Sequence, residues 1–360
     1  MTDMIPWWRV ELGEAAAQAA YDAVQKGRMT LGPLTGLLES RLAELLGVRH
    51  VVATCSGTAA LTIALLEAGC GPGMEVIVPD QTWVATANAP LLLGARVLTV
   101  DTAAHSRSMD PEAFAKAISP DTRIVIPVHL NGKSPDMPKI RAIAAAHGIT
   151  VIEDAAQAFM SRSGGRLLGT GPDMGCFSLA MGKMICCGQG GYVTSRDDEQ
   201  AKRLRLARLH GTDDVYAGSW EMRGGNLRMW DLPAAIALTQ LDSLERRMKA
   251  CIELYQRYRQ ELRGNERLRL TEFDLESGEF PLYVECMCSE RQALIEHLAA
   301  HGVQARANYQ PLHTVPHFRH LPESAYPNSQ RLGRECLILP SGPDRTEREL
   351  ETVFRALRQW

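Results

Sequence analysis

The chain has 360 residues, of which 45% are hydrophobic and 22% are charged, proportions that are ordinary for a soluble globular protein. This length suffices for one large core and a smaller domain. The formal net charge of -3 gives no electrostatic reason to expect a nucleic acid or an anionic membrane as a partner, so we expect small-molecule chemistry.

The cysteines and the start of the chain predict the compartment. Nine cysteines, an odd number, occur without a C-x-x-C pair or a regular metal-ligand spacing, which is typical of a reduced protein. Residues 1–8 lack the basic flank and the long apolar core of a signal peptide. No apolar run reaches the ~20 residues that a transmembrane helix needs. We therefore expect a cytoplasmic protein without a metal site.

Short β-type segments alternate with segments of helical periodicity along the first half of the chain. This alternation is typical of an α/β fold with a mostly parallel, buried sheet. In such sheets, ligands bind beyond the carboxyl ends of the strands. The predicted strands lie at residues 51–53, 76–78, 97–100, 124–126 and 151–152.

Ser56, Gly57 and Thr58 follow the first predicted strand and precede a predicted helix. Free backbone N–H groups at a helix N-terminus, with hydroxyls and a glycine beside them, form a cradle for phosphate. Simple capping of the helix by Ser56 is the alternative interpretation. The position after the first strand of a long α/β domain favours phosphate.

Two later strands place opposite charges at the edge of the same sheet. One predicted strand ends at Asp154, and another apolar segment is followed by Lys183. A lysine amine can bond to the aldehyde of pyridoxal phosphate, and a carboxylate can keep its pyridine nitrogen protonated. A helix cap at Asp154 and a solvated Lys183 are the ordinary alternatives. Together with the phosphate cradle, the pair indicates a pyridoxal-phosphate enzyme.

The chain resembles the DegT/StrS-type aminotransferases in the order and spacing of these motifs. The enzymes of this family act on nucleotide-linked keto-sugars or on keto-cyclitols. The resemblance extends over essentially all 360 residues. It is carried by residues 56–61, 153–157, 176–183, 188–191 and 225–229, with further matches at 32–33, 127–130, 309–313 and 339–340.

The resemblance implies the α/β fold of a fold-type I pyridoxal-phosphate enzyme, similar to aspartate aminotransferase. We expect a large cofactor-binding domain with a mostly parallel sheet at residues 1–240, including an N-terminal segment. A smaller C-terminal α/β domain is expected at 241–360. A long helix from residue 231 to about residue 263 is predicted to link them, followed by a strand-like run at 280–286 and a helix at 289–301.

The resemblance also implies roles for further residues around the cofactor. Trp83 stacks on the cofactor ring, Gln157 donates its amide to the phenolic oxygen, and Ser178 binds the phosphate. Core packing for Trp83 and ordinary buried hydrogen bonds for the other two are the alternatives. Acceptor contacts are assigned to His210, Tyr309 and His313, although loop residues of these types often have only surface or packing roles.

A shared active site is implied by the segment around Asn226. The resembling enzymes form homodimers in which the asparagine of a Gly-Asn-x-Arg-Met motif reaches the phosphate bound by the partner. A glycine followed by asparagine is also a common turn. The Arg-Met continuation favours the shared site.

The implied reaction is transamination from an amino acid, glutamate or glutamine, to a keto-sugar that is nucleotide-linked. A keto-cyclitol is the alternative acceptor. Lys183 argues against the family's dehydratase branch, in which histidine replaces the lysine. A non-catalytic regulatory protein and a decarboxylase or aldolase of the same fold remain alternatives. Departures from the family pattern at Gln189 and Leu227 weaken any inference about the substrate.

Overall fold

The computed structural model describes residues 4–104, 106–216, 218–318 and 322–360, and no helix within these ranges is long and apolar enough to cross a membrane. The helices are α1 (Gly13–Gln25), α2 (Pro33–Leu46), α3 (Gly57–Glu67), α4 (Ala85–Leu92), α5 (Pro111–Ala117), α6 (Met137–Ala146), α7 (Asp198–Arg208), α8 (Asp231–Asp242), α9 (Leu244–Glu261), α10 (Arg291–Ala300), α11 (Pro327–Glu335) and α12 (Glu347–Arg358). The strands are β1 (His50–Thr54), β2 (Glu75–Pro79), β3 (Arg96–Val100), β4 (Thr122–Val125), β5 (Thr150–Asp154), β6 (Arg162–Ser163), β7 (Arg166–Leu167), β8 (Met174–Ser178), β9 (Gly191–Ser195), β10 (Arg269–Leu270), β11 (Glu285–Met287), β12 (Arg306–Ala307) and β13 (Cys336–Ile338).

A seven-stranded sheet forms the centre of the larger part of the molecule, in the order β1-β9-β8-β5-β4-β2-β3. Neighbouring strands from β8 to β3 in this order are parallel, whereas β9 runs antiparallel to both β1 and β8. The predicted mostly parallel sheet of an α/β fold is confirmed. All five predicted strands lie in or overlap β1 to β5.

Both faces of this sheet are buried, which explains why its strands are apolar runs. In β2, Ile77 packs in one core with Phe114 of α5, while Val76 and Val78 pack in another core with Ile63 of α3. Successive side chains of a strand point to opposite faces, so each face must be covered by helices. The carboxyl edge of the sheet is then the place where side chains can meet a ligand.

A four-stranded antiparallel sheet, β10-β11-β13-β12, forms the smaller part of the molecule. Its core includes Leu254 of α9, Leu294 of α10 and Phe354 of α12. The N-terminal half of α9 instead contributes Leu244 and Cys251 to a core of the larger part. Helix α9 therefore joins the two cores, and the predicted boundary between residues 240 and 241 stays a prediction.

The single helix predicted over residues 231–263 is wrong, because α8 and α9 are separate helices that meet at Ser243. Ser243 has φ -105° and ψ 8°, and its hydroxyl donates a hydrogen bond to the Gln240 carbonyl at 3.2 Å. A serine side chain that bonds to nearby backbone competes with the helical ladder. The segment contains no glycine at this point that would indicate the break.

The strand predicted at residues 280–286 is shorter than expected, since β11 begins only at Glu285. The backbone N–H and carbonyl of Tyr283 are both bonded to the side-chain amide of Asn131, at 2.7 and 3.0 Å. The Asn131 side chain thus bonds the backbone groups of Tyr283 that a neighbouring strand would otherwise bond. The helix predicted at 289–301 is confirmed as α10.

The segment that precedes α1 pairs with the smaller part of the molecule. Ile5 forms a parallel bridge with Val303, and Trp8 forms one with Ser341. These contacts hold Trp7, which lies between the two bridges, near the junction of the two parts. The beginning of the described chain is thus fixed against segments some 300 residues later.

Candidate active site

The N-terminus of α3 opens at the carboxyl edge of the large sheet, directly after β1. Ser56 caps this helix, and its hydroxyl oxygen accepts a hydrogen bond from the Ala59 N–H at 3.0 Å. The first N–H groups of a helix, here those of Gly57 and Thr58, have no intrahelical acceptors. With the positive end of the helix dipole, they can bind an anion.

Ser178 ends β8 next to this helix start. A Cβ atom on Gly57 would lie 2.8 Å from the Cβ of Ser178, so only glycine fits there without displacement. The Ser178 hydroxyl oxygen accepts a hydrogen bond from the Ala180 N–H at 3.3 Å. The strand end and the helix end thereby bring the hydroxyls of Ser56 and Ser178 to one cavity.

Asp154 is the last residue of β5 and is only 5% exposed. The Thr86 hydroxyl donates a hydrogen bond to one carboxylate oxygen at 2.8 Å, and the Ala156 N–H donates to the other at 3.1 Å. Burial raises the pKa of this carboxyl, and the nearby charge of Lys183 acts in the opposite direction. The two bonds fix the orientation of the carboxylate.

Lys183 lies in the loop after β8, where its side chain is partly buried. Burial of the amine lowers its pKa to about 8, the charge of Asp154 opposes this shift, and the charge of Arg306 adds to it. The pKa of an unperturbed lysine is about 10.4. The lowered pKa increases the unprotonated fraction near neutral pH, which a nucleophilic amine requires.

Gln157, Tyr309 and Trp83 form a connected polar and aromatic wall. The Gln157 amide nitrogen donates a hydrogen bond to the Tyr309 hydroxyl at 2.7 Å, and its oxygen accepts one from the Asn131 N–H at 3.0 Å. The rings of Tyr309 and Trp83 meet edge to face with their centroids 5.5 Å apart. Trp83 is 51% exposed, so packing in a core does not explain it.

One cavity of about 350 Å³ is lined by all of these groups, a volume that suits a cofactor or a small ligand. The structure thus brings together nine of the twelve residues that the sequence predicted for the site. The predicted residues among its walls are Ser56, Gly57, Thr58, Trp83, Asp154, Gln157, Ser178, Lys183 and Tyr309.

Three large side chains of the same cavity were not predicted from the sequence. Trp7 comes from the N-terminal segment, and Tyr283 and Arg306 come from the smaller part. The Tyr283 hydroxyl donates a hydrogen bond to the Gly182 carbonyl at 2.9 Å, next to Lys183. None of the three residues belongs to a local sequence motif that would indicate a ligand site. They reach the cavity only through tertiary packing.

The remaining predicted site residues do not line this cavity. Asn226 is exposed and forms a backbone bridge with Leu209. His210 is exposed as well and has a positive φ of 59°. His313 is buried, and its Nδ1 lies 2.7 Å from a carboxylate oxygen of Asp80. The functional roles given to these three residues stay predictions.

The site combines an amine of lowered pKa, a buried carboxylate and a helix N-terminus that can bind an anion. This combination is typical of enzymes that act on amines. The DegT/DnrJ/EryC1/StrS aminotransferase family model matches residues 10–358, and the chain belongs to this family. The predicted family, the predicted fold and the prediction of a transaminase are therefore confirmed.

Several characterised proteins are similar to this chain over nearly their whole length. GDP-perosamine synthase of Caulobacter vibrioides is 34% identical over 327 residues, which cover 89% of this chain and 88% of that protein. The crystal structure of S. venezuelae DesV has a TM-score of 0.92 at 32% identity, covering 100% of this chain and 99% of DesV. The sugar aminotransferase CalS13 of Micromonospora echinospora has a TM-score of 0.89 at 25% identity, covering 99% of this chain and 100% of CalS13.

Proposed function

We propose that this aminotransferase uses pyridoxal 5'-phosphate to move the amino group of glutamate or glutamine to a nucleotide-linked keto-sugar. The observation that carries the proposal is the position of Lys183 and Asp154 in one cavity with the N-terminus of α3. The similarity to GDP-perosamine synthase supports a nucleotide-linked acceptor. The similarity to CalS13 supports a sugar.

The residues of the cavity fit the cofactor in three ways. The free N–H groups at the start of α3, with Ser56 and Ser178, offer donors for its phosphate. The buried Asp154 can pair with a protonated pyridine nitrogen, which relieves the burial of its own charge. Lys183 offers an amine whose lowered pKa suits covalent attachment to an aldehyde.

When bound, pyridoxal 5'-phosphate withdraws electrons from the carbon that carries the amino group, so that a proton can leave this carbon. The Lys183 amine accepts that proton from the donor carbon as a general base. It later gives a proton back as a general acid. The Asp154 carboxylate, held by Thr86 and Ala156, favours the protonated pyridine ring. Trp83 and Tyr309 form the aromatic wall on one side of the cavity.

A second part of the proposal is a homodimer with shared sites. Asn226 lies on the surface, outside the cavity of its own chain. Exposure of an asparagine in the Gly-Asn-x-Arg-Met motif supports a role toward the partner's phosphate. A two-fold interface would place each Asn226 against the other chain's site.

Covalent mapping tests the cofactor assignment. The loaded protein is reduced with borohydride and digested, and the pyridoxyl-labelled peptide is located by mass spectrometry. We expect the label on Lys183 and no label in Lys183→Ala. A label on Lys133 or Lys202 would contradict the assignment.

A substrate screen tests the reaction. The protein is loaded with cofactor and L-glutamate or L-glutamine, and keto-sugar nucleotides and keto-cyclitols are offered as acceptors. Transfer of the amino group is measured from the mass of the product. Amination of keto-cyclitols alone would show that the acceptor is a keto-cyclitol and not a keto-sugar. If no acceptor is aminated, the protein is a regulatory member of the family.

A further inference from the structure

A second cavity lies at the junction of the two parts of the molecule. Its volume is about 430 Å³, and among the described residues only Leu130 lines both this cavity and the one that contains Lys183. The larger part contributes the loop between β3 and α5, the smaller part contributes β10 and β11, and α11 completes the walls. A cavity of this size can hold a small molecule. The proposed reaction uses none of its charged side chains.

Positive charge predominates in the second cavity. Its described walls carry more cations than acids, namely Arg107, Lys133, Arg269 and Arg331 against Glu272 and Glu285. Lys133 is paired with Glu279 at 2.7 Å, and Arg107 is paired with Glu285. Within the described part of the chain, the side chain of Arg269 has no partner, and that of Arg331 bonds only to the Ala104 carbonyl, at 2.7 Å. Two guanidiniums are thus available to an anion.

Arg107 is the most deeply buried of these cations. Its side chain is only 9% exposed, and its Nη2 donates a hydrogen bond to the buried carboxylate of Glu285 on β11. Its Nη1 is buried as well, yet has no hydrogen-bond partner among the described residues. Leaving a buried donor of a charged group unbonded is unfavourable. Because Arg107 lines the second cavity, a ligand there can supply the acceptor.

Three guanidiniums around one cavity favour a phosphate over a carboxylate as this ligand. Arg107, Arg269 and Arg331 come from a loop, a strand and a helix, which are separate elements. A carboxylate offers two oxygens in one plane, whereas a phosphate offers three around a tetrahedral centre. Guanidinium groups also match the geometry of phosphate oxygens. A phosphate can therefore bond to arginines that approach from different elements.

The remaining polar groups of the second cavity are compatible with a phosphate. The hydroxyls of Ser106 and Thr271 are further donors in its walls. Glu272 is the described acid of the walls that has no ion pair, and it is exposed, so water weakens its repulsion of an anion.

We propose that the second cavity binds the phosphate group of a small molecule, held by Arg107, Arg269 and Arg331. Such a ligand joins the two parts of the molecule, because Arg107 belongs to the larger part and Arg269 to the smaller one. Inorganic phosphate and phosphate esters share this chemistry. The inference goes beyond the proposed function and does not depend on the identity of the amino donor or the acceptor.

Calorimetric titration tests the site. Inorganic phosphate, glycerol 3-phosphate and succinate are titrated into protein loaded with pyridoxal 5'-phosphate, so that the cofactor competes for the N-terminus of α3. We expect each phosphate to bind once per chain and the dicarboxylate succinate to bind at least about tenfold more weakly, because it lacks the tetrahedral oxygens. The tighter of the two phosphates identifies the source as the free anion or an ester.

Variants at the rim of the second cavity locate the bound phosphate. Arg269→Gln and Arg331→Gln should each weaken phosphate binding at least about tenfold, because each loses a charge-assisted hydrogen bond. Arg348→Gln removes the same charge from an exposed position of α12, outside the cavity, and should bind phosphate as the wild type does.

Arg107 requires a double variant. Arg107→Gln alone would leave Glu285 buried without its counter-charge, which destabilises the fold. Replacing both residues, as Arg107→Gln with Glu285→Gln, removes the two charges together. We expect this variant to keep the circular dichroism spectrum of the wild type and to bind phosphate at least about tenfold more weakly. If it does not fold, the two rim variants decide the outcome.

Three results would overturn the inference. They are the absence of saturable phosphate binding, equal binding by the wild type and both rim variants, and displacement of the phosphate by a keto-sugar nucleotide. The last result would place the phosphate in the cavity that contains Lys183. None of them bears on the label at Lys183 or on amino transfer, so a failure of the second cavity is distinct from a failure of the proposed function.

Discussion

Burial in the same cavity shifts the pKa values of Lys183 and Asp154 in opposite directions. Burial lowers the pKa of the amine to about 8 and raises the pKa of the carboxyl, and each charge partly offsets the shift of the other. Removing either group therefore changes the protonation of its neighbour as well as its own chemistry. The site is best tested by variants that change one charge and keep the shape.

The pH dependence of amine labelling tests the shift at Lys183. Only the unprotonated amine reacts, so labelling of the cofactor-free protein should rise with pH and reach half its maximum near pH 8. Asp154→Asn should move the midpoint to lower pH, because Asp154 stabilises the charged amine. Arg306→Gln should move it to higher pH. The Lys183 peptide is followed by mass spectrometry, and a midpoint near pH 10.4 would contradict the burial effect.

Replacement of Asp154 tests its electrostatic role. Asp154→Asn preserves the shape but removes the charge that, in the proposed function, favours a protonated pyridine ring. We expect proton removal from the donor to slow roughly 10²- to 10³-fold, the cost typical of losing one preorganised electrostatic group. The rate is measured in a single turnover with deuterated and ordinary L-glutamate, and circular dichroism checks the fold.

Asp242→Asn, which removes an exposed aspartate paired with Arg41, is the matched control for Asp154→Asn and should react at the wild-type rate. A near wild-type rate in Asp154→Asn would mean that this carboxylate serves only as a local hydrogen-bond acceptor for Thr86 and Ala156.

The sequence predicted those site residues that stand at the ends of secondary-structure elements. Ser56, Asp154 and Ser178 lie at such ends, and the geometry of a parallel sheet brings these ends to one edge. Arg306 and Tyr283 were not predicted, because Arg306 lies on a small antiparallel sheet, Tyr283 lies just before one of its strands, and the position of this sheet depends on tertiary packing. Nothing in the local sequence of either residue indicates a ligand site.

At the scale of elements, α3 and β8 approach each other closely at the proposed anion cradle. The tight contact between Gly57 and Ser178 sets how near the helix N-terminus lies to the strand end. Strands β1 to β5 were predictable because their apolar runs are short and regular. The break between α8 and α9 was not predictable, because the sequence around Ser243 contains no glycine or proline.

A methyl group at this contact should weaken the cradle. In Gly57→Ala, the new Cβ would lie 2.8 Å from that of Ser178, so α3 and β8 must separate. We expect cofactor affinity to fall at least about tenfold, with a stability loss of about 1–3 kcal/mol from overpacking. Fluorescence titration with pyridoxal 5'-phosphate and thermal unfolding measure the two effects.

Gly36→Ala in α2 is the control for the substitution itself. A Cβ on Gly36 meets no atom within 4 Å, and the residue is exposed. Alanine in a helix interior should raise stability by up to about 1 kcal/mol and leave cofactor affinity unchanged. Equal behaviour of the two variants would show that the contact at Gly57 does not shape the cradle.

At the scale of the whole molecule, mixing of two inactive variants tests the proposed sharing of sites. Lys183→Ala and Asn226→Ala should each be nearly inactive. In a heterodimer, one site receives both intact residues and the other receives both defects. Random exchange makes half of the dimers heterodimers, so activity should recover to roughly a quarter of the wild-type level.

Exchange of subunits must be demonstrated independently, with differently tagged chains that co-purify after mixing. If Asn226 acts within its own chain, every site keeps one defect and no activity returns. Exchange without recovery would therefore reject the shared site and leave the Asn226 segment as a turn.

The pairing of the first described residues with the last part of the chain has a consequence for biosynthesis. Trp7 contributes to the cavity. Its backbone N–H donates a hydrogen bond to the side-chain oxygen of Gln304, 297 residues later. A ribosome makes this segment roughly 300 residues before the segments that it bonds to, so it must wait without these partners while the intervening chain is made. The larger sheet can form during that interval, but the cavity is complete only after the residues of the smaller part that line it, Tyr283 and Arg306, have been made. The capacity to bind substrate is thus acquired only after the larger sheet can already have formed.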